Sequence, residues 1–252
     1  MRVDLNADVG ESFGVYTAGN DELLLRTVTS ASVACGFHAG DPSVMRRTVR
    51  MAAETGVSIG AHPGFPDLAG FGRRDMNIEP REITDLVLYQ IGALSAVAKA
   101  EGTSIRHVKP HGALYNMSVR RTDIAEAIAH AVASFDDALV LVGLAGSELL
   151  LVAERLGLRV ASEGFADRSY EHDGSLTPRH VAGAVVSDAA RAAEQALRIV
   201  RDGRVVARDG SMHALRVDTI CVHGDTTDAA HLAAAVRADL ERAGVTIAAL
   251  GD

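Results

Sequence analysis

Residues Val3–Val9 read VDLNADV and alternate between apolar and polar side chains. Because successive side chains of a strand point to opposite faces, Asp4, Asn6 and Asp8 share one face and the apolar residues share the other. In a parallel barrel the apolar face packs on helices. The polar face then points inward, where burial is costly unless it binds other polar groups, water, a cation or a substrate. A solvent-exposed loop could account for Asp8 alone, but it explains the three polar residues together less well. The stretch therefore predicts the first strand of a barrel with a polar, functional interior.

Further short runs of strand-forming residues follow, separated by Ala-rich segments with helical periodicity. Helices are predicted over Glu82–Ala100 and Thr227–Ala243. Asp41 and Pro42 are typical of a helix start, as the N-cap and the first helical residue. Strands that each precede a helix form a parallel sheet with right-handed crossovers. The seven strands are predicted to begin near Val3, Val33, Val57, Ile105, Leu139, Arg159 and Val217. We therefore predict an α/β fold, a closed or nearly closed parallel barrel, in one domain covering residues 1–252.

The composition argues against several classes of partner. The 252 residues carry a formal net charge of −8 and contain no basic block, which disfavours nucleic acid and anionic membranes. The first residues lack the apolar core of a signal peptide, and the longest apolar run, residues 138–145, is too short to cross a bilayer. Cys35 and Cys221 stand far apart and are expected to be small core residues in a reducing compartment. We therefore expect a cytoplasmic protein without nucleic-acid or membrane partners.

Histidines recur at the predicted carboxyl ends of the strands, where a parallel barrel places its chemistry. Each of these four stands beside small or turn-forming residues, and glycine there lets a ligand approach the backbone: His38, His62, His111 and His223. One such histidine is more often structural than functional, but four on one rim indicate a site. Five others lie in helical or loop patterns and are assigned no role: His130, His172, His180, His213 and His231.

Lys109 is one of only two lysines, and it shares strand parity with His107 and His111. Its compact ammonium could act as a point charge on an anion or, if desolvated, as a base. The alternative is a buried pair with a carboxylate that holds Asp4 or Asn6 in place.

Two polar loops extend the predicted rim. Residues 64–74 are rich in glycine and end in Arg73 and Arg74, which could bind a substrate carboxylate or a phosphate. A solvated charge pair is an equally good explanation of these two arginines. The other loop, residues 163–168, contains carboxylates that could serve as acid, base or metal ligand. Its charged residues are Glu163, Asp167 and Arg168.

These blocks, in this order, resemble those of the LamB/YcsF family along nearly the whole chain. The matching segments are Asp4–Glu11, Ala34–Pro42, Gly60–Gly64, Gly70–Arg74, Val108–Asn116, Glu163–Arg168 and Ile220–Asp225. Ser32 departs from the pattern, because family members often carry asparagine there. The resemblance implies an incomplete seven-stranded (β/α) barrel of the glycoside hydrolase/deacetylase type.

The resemblance also implies a reaction and partners. The family's characterised role is that of the A subunit of a bacterial 5-oxoprolinase, which works together with subunits B and C. That enzyme opens the lactam of 5-oxo-L-proline to L-glutamate while ATP is converted to ADP and phosphate. The sequence contains no G-x-x-x-x-G-K-[ST] phosphate loop. ATP, with its Mg²⁺, would therefore bind without a P-loop or with the help of a partner.

Roles for the rim residues follow as a hypothesis. Phosphorylation of the lactam oxygen would create a leaving group that water displaces. A carboxylate would activate the water, the rim histidines would move protons or hold a cation, and Lys109 and Arg168 would stabilise developing negative charge. Arg73 or Arg74 would hold the substrate carboxylate. The candidate catalytic residues are Asp8, Glu11, His38, His62, Lys109, His111, Glu163, Asp167, Arg168 and His223. If a metal is present, its predicted ligands are Asp8, His38 and His62, by analogy with deacetylase barrels.

Two other functions are compatible with the sequence. A stand-alone metal-dependent deacetylase or amidohydrolase would bind zinc tightly and hydrolyse its substrate without ATP. A non-catalytic substrate-binding subunit would lose affinity, but not turnover of bound substrate, when its rim residues are changed.

Overall fold

The computed structural model describes residues 1–224 and 228–250. Its strands are β1 (Arg2–Val9), β2 (Ser30–Ala34), β3 (Ser58–His62), β4 (Ile105–Val108), β5 (Val140–Leu144), β6 (Arg159–Phe165), β7 (Arg204–Val206), β8 (Met212–Ala214), β9 (Thr219–Val222) and β10 (Thr246–Ile247). Its helices are α1 (Asp21–Leu25), α2 (Pro42–Thr55), α3 (Pro80–Ala100), α4 (Gly112–Ser118), α5 (Thr122–Phe135), α6 (Glu148–Arg155), α7 (Ala189–Asp202) and α8 (Ala229–Arg242).

Seven of the strands form a closed parallel ring. Strands β1 to β6 pair in chain order, β6 pairs with β9, and β9 pairs with β1. The predicted seven-stranded parallel barrel is therefore confirmed. The short strand β10 adds to the first residues of β1, and β7 and β8 form a separate antiparallel pair.

Six of the seven barrel strands begin within two residues of the predicted position, but β2 begins at Ser30 and not near Val33. The missed residues, Ser30 to Ser32, include two serines, which have little intrinsic strand preference. Both serine hydroxyls lie inside the barrel, where they contact Asp4 and His107. Their interior contacts therefore account for a strand start that propensity alone does not indicate.

The helix predictions hold with small shifts. Asp41 caps α2, where its carboxylate accepts from the N–H groups of Ser43 and Val44, and Pro42 is the first helical residue. Helix α3 begins at Pro80, two residues before the prediction, and by length and composition it could cross a membrane. Its apolar stripe is nevertheless buried in the core of this fold. Helix α8 begins at Ala229, and the predicted start at Thr227 lies outside the described residues.

The two faces of β1 have the predicted character. Leu5 and Ala7 lie in the apolar core between the barrel and its helices. On the other face, Asp4 Oδ1 accepts from the hydroxyls of Thr29 and Ser30 at 2.7 Å. Asp4 Oδ2 accepts from the Thr219 hydroxyl at 2.5 Å. One buried carboxylate thus connects β1 to the segments on both sides of it, and it lies below the site formed by the carboxyl ends of the strands.

Candidate active site

Lys109 is the central side chain of the barrel interior, and only 1% of its surface is exposed. Its Nζ lies 2.6 Å from Asp8 Oδ1 and 3.0 Å from Glu163 Oε1. It also donates to Asn6 Oδ1 at 2.9 Å and to Cys221 Sγ at 3.3 Å. A single cation therefore connects β1, β6 and β9 just beyond the end of β4.

The charges around Lys109 fix its protonation. Burial opposes the charged form, but the carboxylate of Asp8 and the other neighbours outweigh burial and hold the pKa of Lys109 well above its ordinary value. Burial would also raise the pKa of Asp8. The neighbouring His62 and Lys109 reverse that effect and hold the Asp8 pKa well below its usual range. Lys109 is therefore a fixed positive charge and not a proton acceptor near neutral pH.

Both carboxylate oxygens of Glu163 already have donors. Oε1 accepts from Asn6 Nδ2 and from Lys109 Nζ, each at 3.0 Å, and Oε2 accepts from the Tyr115 hydroxyl at 2.8 Å. Burial and the charge of Glu163 raise the pKa of Tyr115 well above its ordinary value, so Tyr115 remains a neutral donor. Glu163 is thus an anchor for its neighbours. Asp8 and Glu163 both line the cavity, and Asp8 is the better candidate for contact with a reacting water because both oxygens of Glu163 already have donors.

His223 and Asp167 form a second, separate pair on the rim. Both oxygens of Asp167 lie 3.0 Å from His223 Nδ1, and the backbone N–H of His223 donates to Asp167 Oδ2. Burial would raise the pKa of Asp167, but the charge of His223 and these hydrogen bonds lower it overall. The imidazole ring stacks on Phe165 with centroids 5.2 Å apart. Because Nδ1 is bound by Asp167, Nε2 is the remaining nitrogen of a ring that lines the cavity.

A cluster of three histidines and one carboxylate, Glu11, His38, His62 and His111, lies on the other side of Lys109. One possible ligand atom from each residue lies within 4.8 Å of the others. The rings of His38 and His111 are stacked, with centroids 3.7 Å apart, and His62 meets both edge-on. The donor types could hold a metal ion.

This cluster differs from the metal set predicted from the sequence. Glu11 and His111 join His38 and His62, while Asp8 Oδ1 pairs with Lys109. Asp8 Oδ2 nevertheless lies 3.5 Å from His62 Nε2. Asp8 therefore stands between the cluster and the lysine.

The glycine-rich loop 64–74 packs against these histidines. Gly72 has φ +63°, and a Cβ there would lie 2.7 Å from His38 Cβ and 2.8 Å from His111 Cδ2. Gln90 of α3 holds the start of the loop, because its side-chain amide both accepts from and donates to the Gly64 backbone at 2.9 Å. Glycine is thus required at residue 72 by conformation and by the close approach of two rings.

Arg73 and Arg74 have different surroundings, although the sequence suggested one shared role. Arg74 pairs with Asp67, whose Oδ1 lies 2.9 Å from Arg74 Nε, so it matches the charge-pair alternative. The Arg73 guanidinium lies 4.8 Å above the centroid of the Phe71 ring. Both arginines line the cavity, and Arg73 is the better candidate for contact with an anion.

The cavity has a volume of about 850 Å³. Its lining includes Asp8, His62, Lys109, His111, Glu163, Arg168 and His223. Arg168 is buried, and its guanidinium donates to the carbonyl oxygens of Thr177 at 2.6 Å and Ala184 at 3.3 Å. Burial, together with the charges of Arg179 and Arg73, lowers the pKa of Arg168 to about 10. A buried guanidinium beside two further arginines favours an anionic ligand on this wall.

Several residues that line this cavity were not predicted from the sequence, among them Tyr115, Arg179 and His180. Tyr115 lies four residues after His111, one helical turn along α4, so helical spacing could have indicated it. Arg179 and His180 lie in a loop without a strand-end pattern, and no signal in the sequence singles them out. Asp225, the last residue of the predicted strand-end motif, lies outside the described residues.

Comparison with known proteins gives consistent matches along the chain. A model of the LamB/YcsF family matches residues 3–252. The A subunit of the Bacillus licheniformis 5-oxoprolinase is 56% identical over 98% of both chains. That of Pyrococcus furiosus is 52% identical over 100% of this chain and 99% of its own.

Two solved structures extend the comparison. The lactam utilization protein of Thermus thermophilus has a TM-score of 0.93 and 50% identity, covering 99% of this chain and 100% of that one. A family 4 carbohydrate esterase from Streptomyces lividans, in complex with acetate, has a TM-score of 0.53 and 10% identity, covering 99% of this chain and 93% of its own. The esterase shares the fold alone, and it confirms the predicted likeness to deacetylase barrels.

Asp4 and Asp8 lie on the same face of β1 inside the barrel, and their pKa values are displaced in opposite directions. Burial raises the pKa of Asp4, so its contribution to stability is present at low pH and is lost as the pH rises above about 4. The lowered pKa of Asp8 gives a contribution that is present above about pH 4 and is lost as the pH falls. We expect the stability deficit of Asp8→Asn to shrink at low pH, and that of Asp4→Asn to shrink as the pH rises.

Urea unfolding of the wild type and of both variants, between about pH 3 and pH 7, measures these deficits. Each variant is the control for the other, because each removes one buried carboxylate from β1. Deficits that change with pH in the same direction would contradict the opposite displacements.

Proposed function

The chain belongs to the LamB/YcsF family, and on this premise we propose that it is the A subunit of a 5-oxoprolinase. The observation that carries this function is the full-length identity of 52–56% to curated A subunits of that enzyme. The cavity supports it, because it combines a fixed cation, carboxylates and histidines with an arginine-rich wall. Such a site suits the hydrolysis of a small anionic amide.

The reaction opens the lactam of 5-oxo-L-proline to L-glutamate. Water adds to the carbonyl carbon, the bond from that carbon to the ring nitrogen breaks, and the nitrogen takes up a proton. ATP supplies a phosphoryl group for the carbonyl oxygen, which makes the carbon more electrophilic. The net reaction consumes two waters, one for the lactam and one for the phosphate that is released with ADP. The chain has no P-loop sequence, and we propose that ATP and its Mg²⁺ bind without a P-loop or with the help of partner subunits B and C.

Lys109 stabilises the negative charge of the phosphoryl group that the lactam oxygen receives from ATP. It remains charged because Asp8 and Glu163 hold it in that form. Asn6 and Glu163 fix its position, so little reorganisation is needed when charge develops on the substrate. Asp8 orients the attacking water from the same cavity floor, since its low pKa makes it a weak proton acceptor.

His223 transfers a proton during the reaction, and Asp167 positions the imidazole of His223. Asp167 binds Nδ1 and thereby leaves Nε2 to exchange a proton with a group in the cavity. An imidazole that is held by a carboxylate is well suited to accept a proton from water and to donate it to a leaving nitrogen.

The arginine wall holds the substrate carboxylate. Arg168 donates to two carbonyl oxygens. Its pKa is lowered first by burial and then by the charge of Arg179, while the charge of Asp167 opposes this and that of Arg73 adds to it. An anion at this wall would relieve the repulsion among the three guanidinium groups. The cytoplasm is the proposed compartment, because both cysteines are free and buried thiols.

The function is tested by reconstituting the full chain with candidate subunits B and C. We expect glutamate to be released from 5-oxo-L-proline only when ATP and all three subunits are present. Glutamate release and phosphate release are measured on the same samples, with each subunit omitted in turn. Release without ATP would favour the deacetylase or amidohydrolase alternative, and absence of release in every combination would refute the proposed function.

Lys109→Met should lower kcat of the complex by roughly 100-fold or more, because the fixed positive charge beside the phosphorylated lactam oxygen is lost. Lys99→Met is the matched control, since Lys99 is the other lysine and is exposed at the end of α3. Circular dichroism checks folding, because removal of a buried cation is destabilising. Lys109→Arg keeps the positive charge but not the geometry of the ammonium group. We expect this variant to fold and to have a kcat well below that of the wild type. Full turnover by folded Lys109→Met would remove Lys109 from the mechanism.

His223→Gln should lower kcat by roughly 100- to 10,000-fold, the range for loss of a general acid or base. Asp167→Asn keeps the imidazole of His223 but replaces the carboxylate at its Nδ1 with an amide. We therefore expect this variant also to shift the pH profile of kcat/KM. The exposed His231→Gln is the control for histidine loss. An unchanged pH profile for Asp167→Asn, with only stability reduced, would assign Asp167 a purely structural role.

A further inference from the structure

The ring nitrogens of His62 and His111 make a contact that two neutral imidazoles cannot make. His62 Nδ1 lies 2.7 Å from the carbonyl oxygen of Lys109, and His111 Nε2 lies 2.8 Å from that of Phe71. A carbonyl oxygen only accepts, so each of these nitrogens carries its ring's hydrogen. The remaining nitrogens, His62 Nε2 and His111 Nδ1, then both present lone pairs, and they lie 2.9 Å apart.

Two lone pairs at this distance repel unless a proton or a metal ion satisfies them. A metal ion resolves the contact directly. Two nitrogen ligands at about 2.0–2.1 Å from one ion, at angles between about 90° and 109°, are about 2.9–3.4 Å apart.

His38 presents a second unsatisfied group at the same place. It is fully buried, and among the described residues neither of its ring nitrogens makes a hydrogen bond. Its Nε2 lies 3.4 Å from Glu11 Oε1, and His111 Nδ1 lies 3.6 Å from the same oxygen. Buried polar groups are normally satisfied, so His38 indicates a ligand that the protein chain does not itself provide.

We propose that Glu11, His38, His62 and His111 bind one divalent transition-metal ion of the zinc type. Three imidazole nitrogens and one carboxylate oxygen suit zinc and its neighbours, whereas magnesium prefers oxygen ligands. The carbonyl groups of Lys109 and Phe71 orient two of the ligands by accepting from their other ring nitrogens, as is usual for metal-bound histidine. The ion is therefore distinct from the magnesium that accompanies ATP.

The site also has an accessible side. His62 and His111 line the cavity, and Asp8 Oδ2 lies 3.5 Å from His62 Nε2. A metal held by these residues would polarise an oxygen of a molecule that enters the cavity. The binding of the metal itself does not depend on the identity of the substrate or on the partner subunits.

The test uses the purified full chain, stripped of metal with a chelator and without 5-oxo-L-proline, ATP or partners. Isothermal titration with Zn²⁺ and with Mg²⁺ measures affinity and stoichiometry, and the visible spectrum of the Co²⁺-loaded chain reports on the ligands. We expect one equivalent of Zn²⁺ to bind, with Mg²⁺ far weaker. His38→Ala and His111→Ala should each weaken Zn²⁺ binding by roughly 100-fold or more.

His130→Ala is the matched control, because His130 is exposed on α5 and far from the cluster in the sequence. Glu11→Gln, which keeps the shape of the side chain, serves if an alanine variant does not fold. Zn²⁺ binding that is unaffected by His38→Ala, His111→Ala and Glu11→Gln would overturn the site. So would a stripped chain that binds no Zn²⁺ and whose ¹⁵N spectra show an imidazolium at His62 or His111. Because no turnover is measured, these results are independent of the proposed 5-oxoprolinase function.

Discussion

The buried charge of Lys109 is the interaction on which the rest of the site depends. A single ammonium group in the barrel contacts Asp8 and Asn6 on β1, Glu163 on β6 and Cys221 on β9. Without this cation, the carboxylates of Asp8 and Glu163 would lie close together in a region of low dielectric, where two adjacent negative charges repel each other. The lysine therefore helps to keep Asp8 ionised and holds three strands of the ring in a common geometry.

Lys109 and the residues that it contacts divide the rim of the barrel into two parts with different chemistry. On one side, three histidines and Glu11 lie close together behind the glycine-rich loop. On the other side, His223 is held by Asp167 and stacked on Phe165. Four strand-end histidines that look equivalent in the sequence thus fall into a ligand-like group of three and a single imidazole with its own carboxylate. The cavity joins the two parts, so one small molecule can contact both.

Alternation along β1 was enough to predict which of its side chains enter the barrel, because strand parity is a local property of the chain. The number of strands and their parallel order also followed from local patterns. The partners of each polar residue did not, since they depend on register and loop paths. Glu11 lies with the histidines while Asp8 turns to Lys109, and Arg74 is bound to Asp67. Arg179 enters the cavity from a loop with no periodic pattern, so only the folded chain reveals it.

Closure of the barrel has a consequence for how the protein is made. Strand β1 completes its pairing only with β9, and the hydrogen bond from Thr219 to Asp4 spans 215 residues of sequence. Contacts of such long range slow folding, because a long loop must be ordered before they form. During synthesis β1 can therefore pair with β9 only after β9 has left the ribosome. Until then the polar groups of β1 that bond to β9 can remain hydrated. The polar residues of β1 are made long before their partners on β9, and their hydrogen bonds across the closed ring are complete only once β9 has paired with β1.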